Sequence, residues 1–211
     1  RRLEETEKKI YLNRRLLENE PYHHMSRANL GVLYTRQGRL KEAAEAYRLA
    51  VQFSPDSARY FNNLGNIYVR LAEYGEAVAV FGRALQLEPE YGDAYYNLGL
   101  AHLHLGNFDA AKQALLEARM RRAEDVDVNY NLGLICAKEG DYEKAAGFLE
   151  QVVSSKPEFV KARRELAVCY VKLRRLEESR RHLEIIKEMD ETRRSSSPAG
   201  KTEKGKSETG S

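Results

Sequence analysis

Asn29-Leu30-Gly31, Asn63-Leu64-Gly65, Asn97-Leu98-Gly99 and Asn131-Leu132-Gly133 stand 34 residues apart, and Glu165-Leu166-Ala167 follows at the same interval as an altered fifth copy. Four copies without slippage mark a repeat array with one supersecondary unit per period. That period makes the 211 residues one elongated array rather than one or two ordinary domains.

With residue 24 as position 1, later units start at 58, 92, 126 and 160. Position 4 carries Arg27, Phe61, Tyr95, Asn129 and Arg163. Position 7 is Leu30, Leu64, Leu98, Leu132 and Leu166, and position 8 is Gly31, Gly65, Gly99, Gly133 and then Ala167. Position 11 is Tyr34, Tyr68, His102, Cys136 and Tyr170. Spacings of three, four and seven place these residues on one face of an α-helix. Gly38, Gly106 and Gly140 at position 15 suit a left-handed helix stop. Asn107 and Asp141 follow as N-caps of a second helix. That helix carries Ala43, Ala77, Ala111, Ala145 and Ser179 at position 20, and Tyr47, Phe81, Leu115, Leu149 and Leu183 at position 24. Pro55, Pro89 and Pro157 end the unit, since proline cannot continue a helix. Small residues at 8 and 20 let two antiparallel helices approach, and large ones at 7, 11 and 24 fill the flanks.

Residues 1–22 read as a charged helix with Leu3, Ile10, Leu16 and Leu17 along one side. Leu16, Leu17 and Pro21 are in phase with Ala50, Val51 and Pro55, so this helix is the second half of a degenerate repeat that caps the array. The repeats occupy 23–190. In the last helix, expected over 176–190, Lys187 replaces an apolar residue, and Ile185 and Met189 are expected to stay exposed. Residues 191–211 are rich in Ser, Gly, Lys, Glu and Thr and read as a disordered tail that includes Ser195, Ser196, Ser197 and Pro198.

Hydrophobic residues make up 42% and charged ones 32%, which suits a mostly helical soluble chain, and a net charge of +3 does not call for a polyanion. There is no apolar run of membrane-span length and no signal-peptide core. Cys136 and Cys169 are read as buried, reduced residues, which favours a cytoplasmic setting. The chain begins at Arg1 without methionine, so an upstream targeting or membrane segment remains compatible with it.

The array resembles the tetratricopeptide repeat, whose signature is an aromatic at 4, Leu-Gly at 7–8, Tyr at 11, Ala at 20, an aromatic at 24, Ala at 27 and Pro at 32. Repeat two matches throughout, with Phe61, Leu64, Gly65, Tyr68, Ala77, Phe81, Ala84 and Pro89. The resemblance covers about residues 24–190. It implies an all-α, right-handed superhelical α-solenoid of five helix-turn-helix repeats plus an N-terminal capping helix. Repeat three departs, with Ala123 for proline and Arg119, Arg121 and Arg122 for apolar residues, so a looser joint to repeat four is expected. Repeat five departs most.

In the family, positions 2, 5, 6, 9, 12 and 13 of the first helices line a concave groove that binds protein segments. Carried over, position 6 supplies Asn29, Asn63, Asn97 and Asn131, then Glu165. Such a column offers donors and acceptors to the backbone of an extended peptide. It is similar to the asparagine ladder of O-linked N-acetylglucosamine transferase. Asparagine recurring merely as part of the repeat is the alternative. Position 5 adds Ala28, Asn62, Tyr96, Tyr130 and Arg164, and position 9 adds Val32, Asn66, Leu100, Leu134 and Val168. Tyr96 and Tyr130 are either interface anchors or fillers between repeats. Position 13 carries Arg36, Arg70, His104, Lys138 and Lys172, either a solvated face or a column that favours an acidic ligand. The carboxylate clamp of chaperone-binding relatives requires Lys and Asn in one repeat, Asn in the next, and Lys and Arg in the third. Ala28, Val32, Asn63, Asp93 and Asn97 stand there, so only the asparagine survives.

Nothing in the sequence points to catalysis, to a metal or to another cofactor. His102 and His104, two apart, cannot share a helix face, and His23 and His24 are adjacent. No phosphate loop, nucleophile elbow or His-Glu-x-x-His occurs. The expectation is a non-enzymatic adaptor that takes an extended or helical segment of a partner. A competing expectation is a scaffold that assembles with itself as a homo-oligomer, or a repeat region of a larger membrane-associated protein. Nucleic-acid binding through Arg119, Arg121, Arg122, Arg174, Arg175, Arg180 and Arg181 is disfavoured, since acids are interleaved among them.

Overall fold

The computed structural model describes residues 2–121 and 125–196, and every element among them is helical. They fall into two compact units, one on either side of residues 122–124. The first unit holds α1 (Arg2–Asn19), α2 (His24–Arg36), α3 (Leu40–Phe53), α4 (Ala58–Arg70), α5 (Tyr74–Leu87), α6 (Gly92–His104) and α7 (Phe108–Arg121). The second holds α8 (Val126–Glu139), α9 (Tyr142–Ser155), α10 (Val160–Lys172) and α11 (Leu176–Ser196). Within each unit every helix packs on its sequence neighbours, and α4 also meets α6 as α8 meets α10. These are stacked helix-turn-helix pairs.

Local chemistry sets the boundaries. Ser57, Asp125 and Asp141 cap α4, α8 and α9 through side-chain oxygens that accept from Tyr60 N, from Asp127 N and Val128 N, and from Lys144 N. Ahead of Pro55, Pro89 and Pro157, residues Ser54, Glu88 and Lys156 adopt φ of −139°, −136° and −135°, because a following proline disfavours helical backbone.

The turn at position 15 is left-handed in all five repeats. Gly38, Gly106 and Gly140 have φ of 75°, 76° and 84°, while Ala72 and Arg174 take 60° and 59° without being glycine. The same backbone bond closes each turn, from the N–H of position 16 to the carbonyl of position 11. Its length is 2.9 Å at Arg39–Tyr34, Glu73–Tyr68, Asn107–His102 and Asp141–Cys136, and 2.8 Å at Arg175–Tyr170. A Cβ in this region costs about 1 kcal/mol. Ala72→Gly is therefore expected to raise the stability of the first unit by up to about 1 kcal/mol, read as a shift of the urea midpoint at constant slope.

The glycine at position 8 lies beneath the residue at position 24. A Cβ on Gly65 would stand 2.5 Å from Phe81, and Cβ atoms on Gly31, Gly99 and Gly133 would stand 2.7, 2.7 and 2.8 Å from Tyr47, Leu115 and Leu149. All four position-24 side chains are buried. Repeat five has Ala167 at this place, and Leu183 is 51% exposed. The extra methyl occupies the space that position 24 needs, while Ser179 and Ile186 stay buried as their counterparts do in the other repeats and His182 is half-buried. The sequence expectation that Leu183 packs with its helix pair is corrected on that ground. Ile185 and Met189, expected exposed, are half-buried on the flanks of the same inward stripe.

Ile10 of α1 is buried in the core of the first unit with Leu17 packed against it, whereas Leu16 lies at the surface. Helix α11 runs to Ser196, six residues past the expected boundary at 190. Ser197, Pro198 and the rest of the tail, like the expected loose joint at Arg122 and Ala123, lie outside the described residues.

Candidate partner-binding surface

The asparagines of position 6 sit on the first helices, half-buried at Asn63, Asn97 and Asn131 and exposed at Asn29. In the first unit Asn97 is held through a chain of hydrogen bonds that the sequence reading did not foresee. Asn97 Nδ2 donates to Asn62 Oδ1 at 3.0 Å, and Asn62 Nδ2 reaches the Tyr91 hydroxyl at 3.3 Å. Burial pushes the Tyr47 hydroxyl up to about 12, with the neighbouring Asn63 side chain opposing the shift. In the second unit Asn131 Nδ2 donates to its own helix at Asp127 O, 2.8 Å. Asn62, expected among ligand contacts, is only 5% exposed and lies under that surface as a support. A position-5 asparagine beside a position-6 asparagine, with a tyrosine at the end of the same repeat, is the signal that could have revealed the network.

Asn66, Tyr96 and Leu100 are half-buried in the first unit, as are Tyr130 and Leu134 in the second. The Tyr130 ring lies 4.9 Å from Phe159 at an interplanar angle of 39°, and burial raises its hydroxyl pKa, with Glu165 adding to the shift. Arg36, Arg70 and His104 are exposed in the first unit, as are Lys138 and Lys172 in the second. Arg70 Nη1 reaches Thr35 O at 3.5 Å. The His104 ring stacks on Tyr74 at 4.4 Å and 4°, so this member of the basic column works as half of an aromatic pair.

Of the arginines considered for nucleic acid, Arg121, Arg175 and Arg180 are paired with carboxylates, and Arg122 lies outside the described residues. Arg121 bonds Glu117 at 2.7 Å and Glu90 at 3.1 Å, and its guanidinium covers the Tyr95 ring at 4.6 Å. Arg175 pairs with Glu178 at 2.9 Å, and Arg180 with Glu177 at 3.0 Å. Among the described residues no cluster of three or more His, Cys, Asp or Glu is placed to hold a metal ion. No described helix is long and apolar enough to cross a membrane. Cys136 and Cys169 are buried and unbridged, and burial pushes the Cys169 thiol up to about 11.

Family models described as TPR repeat match residues 31–72 and 65–106, and others described as tetratricopeptide repeat match 105–157 and 137–195. The chain belongs to the tetratricopeptide repeat family. A search of curated proteins finds no match. Solved structures similar to this tetratricopeptide chain include a MamA protein, 23% identical over 82% of this chain and 94% of that one, with a TM-score of 0.76. MamA from Desulfovibrio magneticus is 21% identical over 80% of this chain and 96% of its own, with a TM-score of 0.75. YrrB, described as a TPR protein with an unusual peptide-binding site, is 24% identical over 82% and 90%, with a TM-score of 0.72. At these identities the likeness is one of fold. A tetratricopeptide array is in general an interaction scaffold, and that is the broad role of this chain.

Proposed function

We propose that the protein is a non-enzymatic adaptor whose first-helix face takes an extended segment of a partner protein. The observation that carries this reading is the braced asparagine set of the first unit, where Asn97 rests on Asn62 and Asn62 on Tyr91. Side chains already ordered by internal bonds lose little entropy when they pair with a peptide backbone. Tyr96 and Leu100 supply apolar contact beside them, and Arg36 and Arg70 favour a segment with acidic residues. The peptide-binding site of the similarly folded YrrB supports the same use of the fold.

The test is capture of partners from the source cell by the wild-type chain and by an Asn63→Ala/Asn97→Ala/Asn131→Ala variant. Loss of two or three hydrogen bonds at about 1 kcal/mol each predicts roughly thirty-fold or greater weakening, with helicity unchanged. Equal capture by a folded variant would reject the reading.

A further inference from the structure

Helix α6 carries a second feature on the face opposite its asparagine. At 100° per residue, Tyr95, Leu98 and His102 point away from Tyr96, Asn97 and Leu100. Their face meets α7 at a cavity of about 440 Å³, which Tyr95, Leu98, His102, Ala110, Gln113 and Ala114 help to line. The volume lies in the range of small-ligand sites.

Two positions that carry larger side chains around other position-11 residues are small around His102. Position 23 normally plugs the crevice between positions 4 and 11 of the same repeat. His182 does so in repeat five, stacked on Tyr170 with centroids 5.6 Å apart and 3.3 Å from Arg163 Nη1. Phe148 and Val80 are the larger residues at this position in repeats four and two, each packed against its core. Repeat three has Ala114. Alanine recurs at Ala46 in repeat one, but there Arg39 and Arg14 stack over Tyr34 at 4.5 and 5.9 Å.

Position 25 of the preceding helix normally reaches the residue at position 11. Arg14 donates to the Tyr34 hydroxyl at 2.8 Å, and Glu150 accepts from the Tyr170 hydroxyl. Before His102 that position is Gly82, where an added Cβ would meet nothing within 4 Å. Around His102 both side chains are missing, the plug at Ala114 in its own repeat and the lid at Gly82 in the repeat before.

The polar group beneath is left unsatisfied. His102 Nδ1 is buried without a hydrogen-bond partner, and a donor brought to it would relieve the cost of leaving it unpaired. Burial also lowers the pKa of the ring, which keeps it neutral near pH 7. A neutral imidazole with its proton on Nε2 presents a lone pair at Nδ1.

We propose that this crevice is a binding site for a planar aromatic group bearing one N–H or O–H, of the indole or phenol type. The ring lies between Tyr95 and the Ala110–Ala114 turn of α7, in the space that Phe148 or His182 occupies in its own repeat. Its N–H donates to His102 Nδ1. The group is either a free small molecule or the side chain of a tryptophan or tyrosine on a partner.

The chain has no tryptophan, so indole fluorescence excited beyond the tyrosine band reports ligand alone. Titrating indole with the full chain is expected to give saturable one-to-one binding. 1-Methylindole, which lacks the donor, is expected to bind about fivefold more weakly. Ala114→Phe restores the plug and Gly82→Arg restores the lid, and each should abolish binding while the helical spectrum is kept. N-acetyltryptophanamide binding as well as indole marks a partner side chain as the source, and binding of indole alone marks a small molecule. No saturable binding to the wild type, or unchanged binding to a folded Gly82→Arg chain, would overturn the proposal.

Discussion

Truncating Phe81 to alanine is expected to destabilise the first unit by about 3–5 kcal/mol. Its ring is fully buried and stands over the bare Cα of Gly65. The converse change, Gly65→Ala, drives a methyl to within 2.5 Å of that ring and should cost about 1–3 kcal/mol by overpacking. The two changes are not independent. In the Phe81→Ala background the methyl at 65 enters the vacated space, so its cost falls toward zero or becomes a gain. Urea unfolding of the four chains, followed by far-ultraviolet circular dichroism, measures this coupling. Simple additivity would mean that positions 8 and 24 do not share one space.

Acidification from pH 7 is expected to loosen α11. His182 is held below its ordinary pKa first by burial and second by the Arg163 guanidinium, with Glu150 opposing. The unfolded chain therefore takes up a proton near pH 6.5, while the folded one does so only at lower pH. Within that window the unfolded state binds more protons, so stability falls as pH drops. One proton contributes at most about 1.4 kcal/mol per pH unit, and the partial exposure of the ring reduces this. Arg163 and Glu150 face the ring, and Tyr170, Arg175 and Glu178 surround it. Arg175 is held above its usual range, chiefly by its bond to Glu178, the Tyr170 hydroxyl is pushed up to about 12, and Glu178 is held below its usual range, chiefly by Arg175. His182→Phe, which copies Phe148 of repeat four, should remove the pH slope of the amide protection factors in α10 and α11, taken after correction for the intrinsic exchange rate. A slope that persists in that variant would assign the effect elsewhere.

The repeat boundaries could be read from the chain because period and chemistry coincide: proline, glycine and capping acids recur where the backbone turns. The left-handed turns at Ala72 and Arg174 could not, since no glycine marks them and only the bond from position 16 to position 11 reveals them. Leu183 was misplaced because its packing depends on one methyl at Ala167, a residue on another helix. That the asparagines stand in one column on the first helices followed from the period, and their use as a ligand surface came from the family resemblance. The bracing of that column did not, because Asn62 finds Tyr91 and Asn97 across a repeat boundary, 29 and 35 residues away. The gap in repeat three was legible only by difference, from Ala114 and Gly82 set against their counterparts.

The two native thiols are both fully enclosed, and one is pushed up to about 11. The thiolate is the reactive form, so neither should compete for a maleimide at neutral pH. A single cysteine installed at an exposed turn residue such as Ala72 would then carry a fluorophore or spin label at one defined place, with no need to strip the natural sulfur from the chain.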